Sequence, residues 1–126
     1  MTAWNPEDLA RIAESDELVV ATTSADGGLR APVPVWVVRD GDDLYVRSYK
    51  GSGGAWFRAA TARPEARVSA GGIEMDVAFA EVAADVTLND RIDDAYRSKY
   101  RRYGADYIDP MIADQARATT LRLTPQ

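Results

Sequence analysis

Residues 33–49, VPVWVVRDGDDLYVRSY, decide the expected fold, because they contain two β-rich runs joined by a tight turn. The first run belongs to a strand expected over 29–39, and its nearly continuous apolar character favours burial on both faces. Asp40-Gly41-Asp42 has the composition of a hairpin turn. Residues 43–49 form the next expected strand. This stretch therefore predicts an antiparallel meander at the centre of the fold.

The rest of the chain repeats this pattern of short strands and turns around a few helices. Strands connected by hairpins, about six of them in 126 residues, favour an antiparallel sheet that closes on itself. We expect a single domain over 1–126, mainly β with α: a six- or seven-stranded antiparallel β-barrel with short surface helices. The other expected strands are 17–24, 67–70, 73–88 with a bulge near 80–81, and 119–124, and the expected helices are 6–15, 55–62, 89–103 and 109–115.

Local signals place the ends of these helices. Asn5 can cap the first helix and Pro6 suits its first position, since proline lacks the N–H that would be unpaired there. Asn89 or Asp90 can cap the longest helix. Pro64 ends the helix over 55–62, because the residue before a proline avoids the helical region.

The composition removes several classes of chemistry. The chain contains no His and no Cys, which excludes a Ser–His or Cys–His nucleophile pair and a Cys/His zinc site. An enzyme of this composition would use carboxylates, Tyr, Lys or Arg, or a bound cofactor. The net charge of −5 argues against a nucleic acid or an anionic membrane as partner. The N-terminus lacks signal-peptide features, so we expect a cytoplasmic protein.

The strand over 43–49 carries the first candidate for function. Its alternation places Leu44 and Val46 towards the core, so Arg47 lies on the opposite face between Tyr45 and Tyr49. One interpretation is a surface arginine packed on aromatic neighbours. The other is a cationic group that is presented to a ligand.

A glycine loop follows this strand directly and leads into a helix. Arg47, Ser48, Lys50 and Ser52 bring donors to this junction, and the helix N-terminus adds unpaired N–H groups. Such a set suits a phosphate or another anion, whereas a flexible loop with a helix cap is the simpler alternative. Glycine loses more conformational entropy on folding than other residues, so a run of glycines destabilises the fold unless backbone geometry or the approach of a ligand requires it. We therefore expect positive φ, or an N–H in contact with the anion, at Gly53 or Gly54.

Trp56 begins the helix beside the glycine loop. Its indole could stack on an aromatic ligand, or it could belong to the core or to a dimer contact. Trp36, Trp56, Tyr45 and Tyr49 are together more large aromatic surface than one small core is expected to bury. This predicts a homodimer.

Several of these segments form a longer pattern whose order and spacing are more specific than any single motif. It runs from about residue 15 to residue 88. Its parts are Arg30-x-x-x-Pro34-x-Trp36, residues 40–48 (DGDDLYVRS), Gly51-Ser52-Gly53-Gly54, Trp56-Phe57-Arg58 and Pro64-x-x-Arg67-Val68.

The pattern resembles the flavin-binding split β-barrel superfamily, which is the pyridoxamine-phosphate-oxidase-like group. Within it, the chain is most similar to DUF2255, a family of uncharacterised bacterial proteins, and it also resembles the deazaflavin-dependent nitroreductases. The resemblance implies a split barrel, a homodimer with the cofactor at its interface, and FMN or coenzyme F420 as that cofactor. Tyr49-Lys50-Gly51 replaces the Ser-Arg-Lys triplet of the oxidases, so pyridoxamine phosphate oxidase activity itself is not expected.

The resemblance also implies site residues. The cofactor phosphate would lie where the third strand meets the next helix, near Arg47, Ser48, Tyr49, Lys50 and Ser52. In the order of the motifs, Arg30 matches a position that approaches the flavin. Gly53 and Trp56 complete the expected cofactor site, and no catalytic residue and no metal ligand is predicted.

Two functions are compatible with this reading. The first is a flavin- or deazaflavin-dependent oxidoreductase acting on a small-molecule substrate, in which the cofactor ring carries the hydride. The second is a non-catalytic split barrel that has lost its flavin and binds another small ligand or serves in interactions. The sequence leaves the substrate open.

Overall fold

The apolar runs of the chain form six antiparallel strands that close into a barrel in the computed structural model, which describes residues 3–126. The strands follow one another around the barrel in the order β1-β2-β3-β6-β5-β4. The expected mainly-β barrel with surface helices is thereby confirmed. The strands are β1 (Glu17–Thr22), β2 (Val33–Asp40), β3 (Asp43–Val46), β4 (Glu65–Ala70), β5 (Ile73–Glu81) and β6 (Leu121–Pro125).

Short helices lie outside this barrel, and a 3₁₀ turn over Gly51–Gly53 precedes the second of them. None of the helices within residues 3–126 has the length and apolar character needed to cross a membrane. The α-helices are α1 (Pro6–Glu14), α2 (Ala55–Ala62), α3 (Val86–Lys99), α4 (Ala105–Ile112) and α5 (Asp114–Arg117).

The interior of the barrel is filled by the inward side chains of its strands. Leu44 and Val46 of β3 are fully buried there, as their alternation predicts. Leu44 is paired with Leu123 of β6 on one side and with Arg39 of β2 on the other, so β3 connects β2 to β6 in the barrel. This fixes the position of the loop that follows β3.

The outer face of β2 and β3 is covered as well, because α3 and α4 pack on it. Val38 and Tyr45 form a second apolar core with Ile92 and Tyr96 of α3 and Met111 of α4. Only 2% of Tyr45 is exposed. The interpretation of Arg47 as a surface arginine is therefore wrong, since Arg47 and Tyr45 are buried and only Tyr49, beyond the end of the strand, is exposed.

The N-terminal helix has the predicted form. The Asn5 side chain accepts hydrogen bonds from the amides of Glu7 and Asp8, and Pro6 is the first helical residue. Trp4 lies just before the helix, and its Nε1 donates to the Leu123 carbonyl at 3.1 Å. This contact ties the N-terminal segment to the barrel.

The boundary between β5 and α3 differs from the prediction. β5 ends at Glu81 in unbroken register with β6, so the bulge expected near 80–81 is absent from the described pairing. Helix α3 begins at Val86, and Asp85 caps it by accepting from the Leu88 amide. Residues 82–85 form a turn, in which the Asp85 amide donates to the Val82 carbonyl at 3.2 Å, and the apolar positions 86 and 88 belong to the first turn of α3.

The C-terminal segment also differs from the expected single helix over 109–115. It contains α4, which starts four residues earlier and includes Pro110, and the separate short α5. Ile108 and Met111 lie three residues apart on α4 and are both buried, while Tyr107 is 64% exposed. Helix α4 therefore presents one side to the second core and leaves an aromatic ring at the surface.

Lys99, at the end of α3, fastens this helix to the barrel. Its Nζ donates to the carbonyls of Ser15 and Val37, both at 2.6 Å, and lies 5.1 Å from the centre of the Tyr100 ring. Burial lowers the pKa of Lys99 from 10.5 to about 8. The ammonium is consequently the group whose titration falls nearest to neutral pH among the shifted groups of residues 3–126.

This pKa predicts a specific pH dependence of stability. Between pH 8 and pH 10.5 the unfolded chain keeps the Lys99 proton that the folded protein has released, so the free energy of unfolding should rise with pH in that window. Denaturation curves at pH 7.5 to 9.5 check this. The Lys99→Met variant should lose the rise and the Lys50→Met variant should keep it; identical curves for wild type and Lys99→Met would contradict the assignment.

Candidate functional site

A groove of about 740 Å³ opens where the end of β3 meets α2. The first half of β2 forms one wall and α4 forms the other, so segments distant in sequence enclose it. Its volume lies within the range of pockets that bind small molecules and cofactors. The lining residues are Glu17, Val33, Pro34, Val35, Trp36, Arg47, Ser48, Tyr49, Lys50, Gly54, Ala55, Trp56, Asp106, Tyr107, Pro110 and Met111.

The Arg47 guanidinium is held entirely by protein groups. Its Nε donates to Thr120 Oγ1 at 2.9 Å, and one terminal nitrogen donates to Asp93 Oδ1 at 2.6 Å and to the Met111 carbonyl at 3.0 Å. The other terminal nitrogen donates to the carbonyl and to Oδ1 of Asn89, at 3.2 and 2.8 Å. All five N–H donors of the arginine are thus used.

This geometry changes the role of Arg47. Its side chain is fully buried, and the carboxylate of Asp93 compensates its charge. Arg117 donates to the second oxygen of Asp93 at 2.6 Å, which completes a buried ionic network between β3, α3 and α5. Arg47 therefore has no free donor for a phosphate, and it borders the groove as a structural residue rather than as the expected anion anchor.

Ser48 and Gly51 shape the loop after β3. The Ser48 amide donates to Thr119 Oγ1 at 2.8 Å, and Ser48 Oγ donates to the Gly51 carbonyl at 2.9 Å. The positive φ of the loop is at Gly51, with a value of 71°, and not at Gly53 or Gly54 as expected. The reversal of the chain occurs at the first glycine of the run, so the later glycines need another explanation.

Close packing explains Gly54. A Cβ atom on this residue would lie 2.5 Å from Ser48 Oγ, closer than real side chains approach one another. At Gly53 a Cβ atom would meet nothing within 4 Å. The two neighbouring glycines thus form a matched pair for experiment.

We expect Gly54→Ala to lower the free energy of unfolding by about 1–3 kcal/mol, because the added methyl group must displace the Ser48 hydroxyl that orders the loop. Gly53→Ala should change it by less than about 0.5 kcal/mol. Urea denaturation of both variants measures the difference. Equal stabilities for the two variants would show that the Ser48–Gly54 contact does not constrain the loop.

The N-terminus of α2 opens onto the groove next to Lys50. The first hydrogen bond of the helix runs from the Arg58 amide to the Gly54 carbonyl at 3.1 Å, and no side chain caps the helix. The amides of Ala55 and Trp56, both lining residues, precede that bond and belong to the unpaired start of the helix. The exposed Lys50 lines the same groove, with its ammonium 5.8 Å from the centre of the Tyr49 ring, so the groove offers donors and positive charge suited to an anion.

The structure brings together some of the expected site residues and not others. Ser48, Tyr49, Lys50 and Trp56 line the groove with Arg47, as the list above shows. Ser52, Gly53 and Arg30 are exposed and are not among its lining residues. Arg30 follows the reversal after β1, where its amide donates to the Thr22 carbonyl at 2.8 Å.

Aromatic rings form the remaining walls. Trp36 stacks in parallel on Tyr100 with ring centres 3.8 Å apart, which fixes the indole at the edge of the groove. Trp56 is half-buried, and its ring lies 6.3 Å from those of Phe57 and Phe79. Trp56 thus packs against the barrel core, as one of the interpretations expected, and it also borders the groove, where stacking on a ligand stays a prediction.

Sequence reasoning did not find the groove residues that lie outside β2 and the glycine loop: Glu17, Asp106, Tyr107, Pro110 and Met111. They come from β1 and α4, far along the chain from the glycine loop. No local motif surrounds them, and only the closure of the barrel and the position of α4 bring them to the site.

A family model described as "Uncharacterized protein conserved in bacteria (DUF2255)" matches residues 8–123, which is most of the chain. Comparison with the curated proteins gives no match. The family match thus extends beyond the region that carries the sequence resemblance, through α3 to β6.

Solved structures similar to this chain have the same fold. A Listeria innocua protein named after pyridoxamine 5'-phosphate oxidase has a TM-score of 0.63 at 13% identity, with 96% of this chain and 90% of that chain covered. A FAD-binding protein from Mesorhizobium loti has a TM-score of 0.54 at 15% identity, with coverage of 98% and 89%. An F420 reductase has a TM-score of 0.50 at 17% identity, with coverage of 97% and 94%.

The similar structures also include HutZ, a haem storage protein from Vibrio cholerae. Its TM-score is 0.61 at 16% identity, and the alignment covers 100% of this chain and 90% of HutZ. At such identities these likenesses show a common split-barrel fold, and proteins with different ligands share it.

Proposed function

The chain belongs to the DUF2255 family and has the split-barrel fold, and we propose that its groove binds a flavin-type cofactor, FMN or coenzyme F420, for an oxidoreductase reaction. One observation carries the proposal. The groove of about 740 Å³ has an uncapped helix N-terminus and the Lys50 ammonium at one end, and aromatic rings along its walls. A phosphate-bearing molecule with a flat ring system needs both features.

The residues that would hold the cofactor differ in part from those of the sequence prediction. The amides of Ala55 and Trp56 and the ammonium of Lys50 would bind the phosphate, whereas the donors of Arg47 are used inside the protein. The indoles of Trp36 and Trp56 would contact the ring system and exclude water from it. When bound, a flavin supplies hydride or electron transfer, and the protein contributes binding and orientation.

Two of the similar structures support a flavin, since one is a FAD-binding protein and one an F420 reductase. The likeness to HutZ raises haem as another ligand. Haem iron in proteins is commonly held by His or Cys, and this chain contains neither. The donor set of the groove, a cation with free amides, favours a phosphate over an iron porphyrin.

A titration tests the proposal: FMN is held at about 1 μM and the protein is added while flavin fluorescence is recorded. Saturable quenching with a micromolar Kd supports a flavin site, and coenzyme F420 in the same assay decides between the two cofactors. Unchanged fluorescence of both up to about 100 μM protein would reject the flavin proposal and favour the non-catalytic ligand-binding module.

One observation favours that second function. Because Arg47 is used inside the protein, Lys50 is the only basic side chain left to face the groove among residues 3–126. The anion site is therefore less strongly charged than the sequence suggested. A weakly bound small anion, without catalysis, would match such a site.

We also propose that the protein forms a homodimer that covers the open side of the groove. Tyr49 and Tyr107 border this opening and are 57% and 64% exposed, and large exposed aromatic side chains are typical of interfaces. Light scattering should give twice the chain mass of 13.8 kDa. A monomer at micromolar concentration would contradict this, and the cofactor would then have to be held by one chain alone.

A further inference from the structure

A second cavity of about 540 Å³ adjoins the groove at the end away from Lys50. It is lined by Asp16, Glu17, Trp36, Tyr103 and Tyr107. Three of these residues also line the groove, so the two spaces adjoin each other. We infer that this cavity is the substrate site and that it binds an organic cation, a molecule with an alkylammonium or quaternary ammonium group.

The charge of the cavity is the first argument. Its ionisable acids are Asp16 and Glu17, and Asp106 lies nearby on the wall of the groove. Hydrogen bonds from Arg102 and Tyr103 lower the pKa of Asp16, so this carboxylate stays ionised at neutral pH. The Glu17 carboxylate is exposed and makes no ion pair with another described residue. Lys50 lies at the opposite end, so the combined space is basic at one end and acidic at the other.

The aromatic rings are the second argument, and they are independent of the charges. The ring centre of Tyr103 lies 5.4 Å from that of Trp36. It lies 6.4 Å from that of Tyr107, and the rings of Tyr103 and Tyr107 meet edge to face. Tyr103 and Tyr107 are 39% and 64% exposed. Aromatic faces attract cations within about 6 Å of the ring centre, most strongly ammonium groups that shed water easily.

The protein itself places a cation at the rim of this cavity. Arg102 lies over the Tyr103 ring, with its Cζ 4.7 Å from the ring centre, and its guanidinium pairs with the Asp16 carboxylate. A carboxylate and an aromatic face thus already hold one cation there. Glu17, Trp36 and Tyr107 also line this cavity. One face of Trp36 is covered by Tyr100, but Glu17 makes no ion pair with another described residue and Tyr107 is 64% exposed, so these side chains remain for a ligand.

The assignment of this cavity as a substrate site rests on the proposed flavin site. Its binding of a cation depends only on the residues that line it. A cationic substrate bound here would lie beside the ring end of a cofactor whose phosphate is held at Lys50. An anionic substrate would meet Glu17 and Asp106 without a compensating cation.

The test compares choline with 3,3-dimethylbutan-1-ol, which has the same shape and no charge. Each is titrated into the cofactor-free protein and into the protein with FMN added, and binding is followed by the change in tryptophan fluorescence, to which Trp4 and Trp56 contribute as well as Trp36. We expect saturable binding of choline, about 10-fold tighter than that of the alcohol. Equal affinities, or no saturable binding of choline to either form, would overturn the inference.

Variants assign the binding to this cavity. Glu17→Gln should weaken choline binding about 3-fold and Tyr107→Leu by a similar factor, while Glu14→Gln, an exposed glutamate outside both cavities, should leave it unchanged. Equal effects of Glu17→Gln and Glu14→Gln would place the cation elsewhere and overturn the inference. Choline binding without FMN binding would remove the proposed cofactor and leave the cation site; FMN binding without choline binding would do the reverse.

Discussion

Replacement of Arg47 by Met is expected to lower the free energy of unfolding by about 3–5 kcal/mol, which makes it the most destabilising change considered. The guanidinium supplies five hydrogen bonds inside the protein, and without it Asp93, Asn89 and Thr120 lose a buried donor. Arg117 still contacts Asp93, so the loss should lie at the lower end of the range. Urea denaturation measures it.

Two further variants make this prediction specific. Arg47→Lys should also be destabilised, because an ammonium has three donors and lacks the fork that spans these partners. Arg58→Met, at an exposed arginine on α2, should be within about 0.5 kcal/mol of wild type. A stable Arg47→Met protein with weakened FMN binding would restore Arg47 as a phosphate anchor. If Arg47→Met does not fold, the Lys variant carries the same comparison.

Lys50→Ala should weaken FMN binding by about 1.5–3 kcal/mol, or roughly 10- to 150-fold in Kd, because it removes a charge-assisted contact to the phosphate. Riboflavin, which has no phosphate, should bind both proteins alike. Lys50 is exposed, so the change should leave stability nearly unaltered. Fluorescence titration of both flavins gives the comparison.

The matched control for this experiment is Arg63→Ala, at the other end of α2. It removes one positive charge, as Lys50→Ala does, but Arg63 follows the C-terminal end of α2 and lies outside the groove. An equal loss for FMN and riboflavin in Lys50→Ala would mean that Lys50 acts through the shape of the loop. An equal loss for FMN in both variants would mean that only the net charge of the protein matters.

The elements predicted well were those whose signals are local. The glycine run before Ala55 and Pro64 after Ala62 bound α2, and the structure has the same limits. The alternation in β3 correctly placed Leu44 and Val46 in the core. Turn residues and period-2 patterns depend only on neighbouring residues, so they can be recognised in the sequence without knowledge of the tertiary fold.

The role of Arg47 could not be predicted in the same way. Its partners come from positions 89, 93, 111 and 120, at least 42 residues away in the chain. Asn89 shows the same difficulty, since a residue typical of a helix cap lies here inside α3 and is buried against Arg47. Buried polar networks are assembled by tertiary packing. The local sequence around an arginine beside a glycine loop is therefore the same whether its side chain faces a ligand or the protein interior.

The acidic and aromatic end of the site was also hidden in the sequence. Glu17 and Trp36 face each other in the register of β1 and β2, but Tyr107 reaches them only through the packing of α4. The phosphate end, by contrast, is continuous in sequence from Ser48 to Trp56. Continuity in sequence explains why the groove residues from Ser48 to Trp56 could be proposed from local motifs and those of α4 could not.

Amide chemical-shift mapping with FMN tests the central claim most directly, because it locates the phosphate. In ¹H–¹⁵N spectra we expect the amides of Ala55 and Trp56 to shift most when FMN is added, and to shift little with riboflavin at the same saturation. Shifts that are the same for both flavins at these amides, or confined to the end of the groove at Glu17, would contradict a phosphate site at the N-terminus of α2.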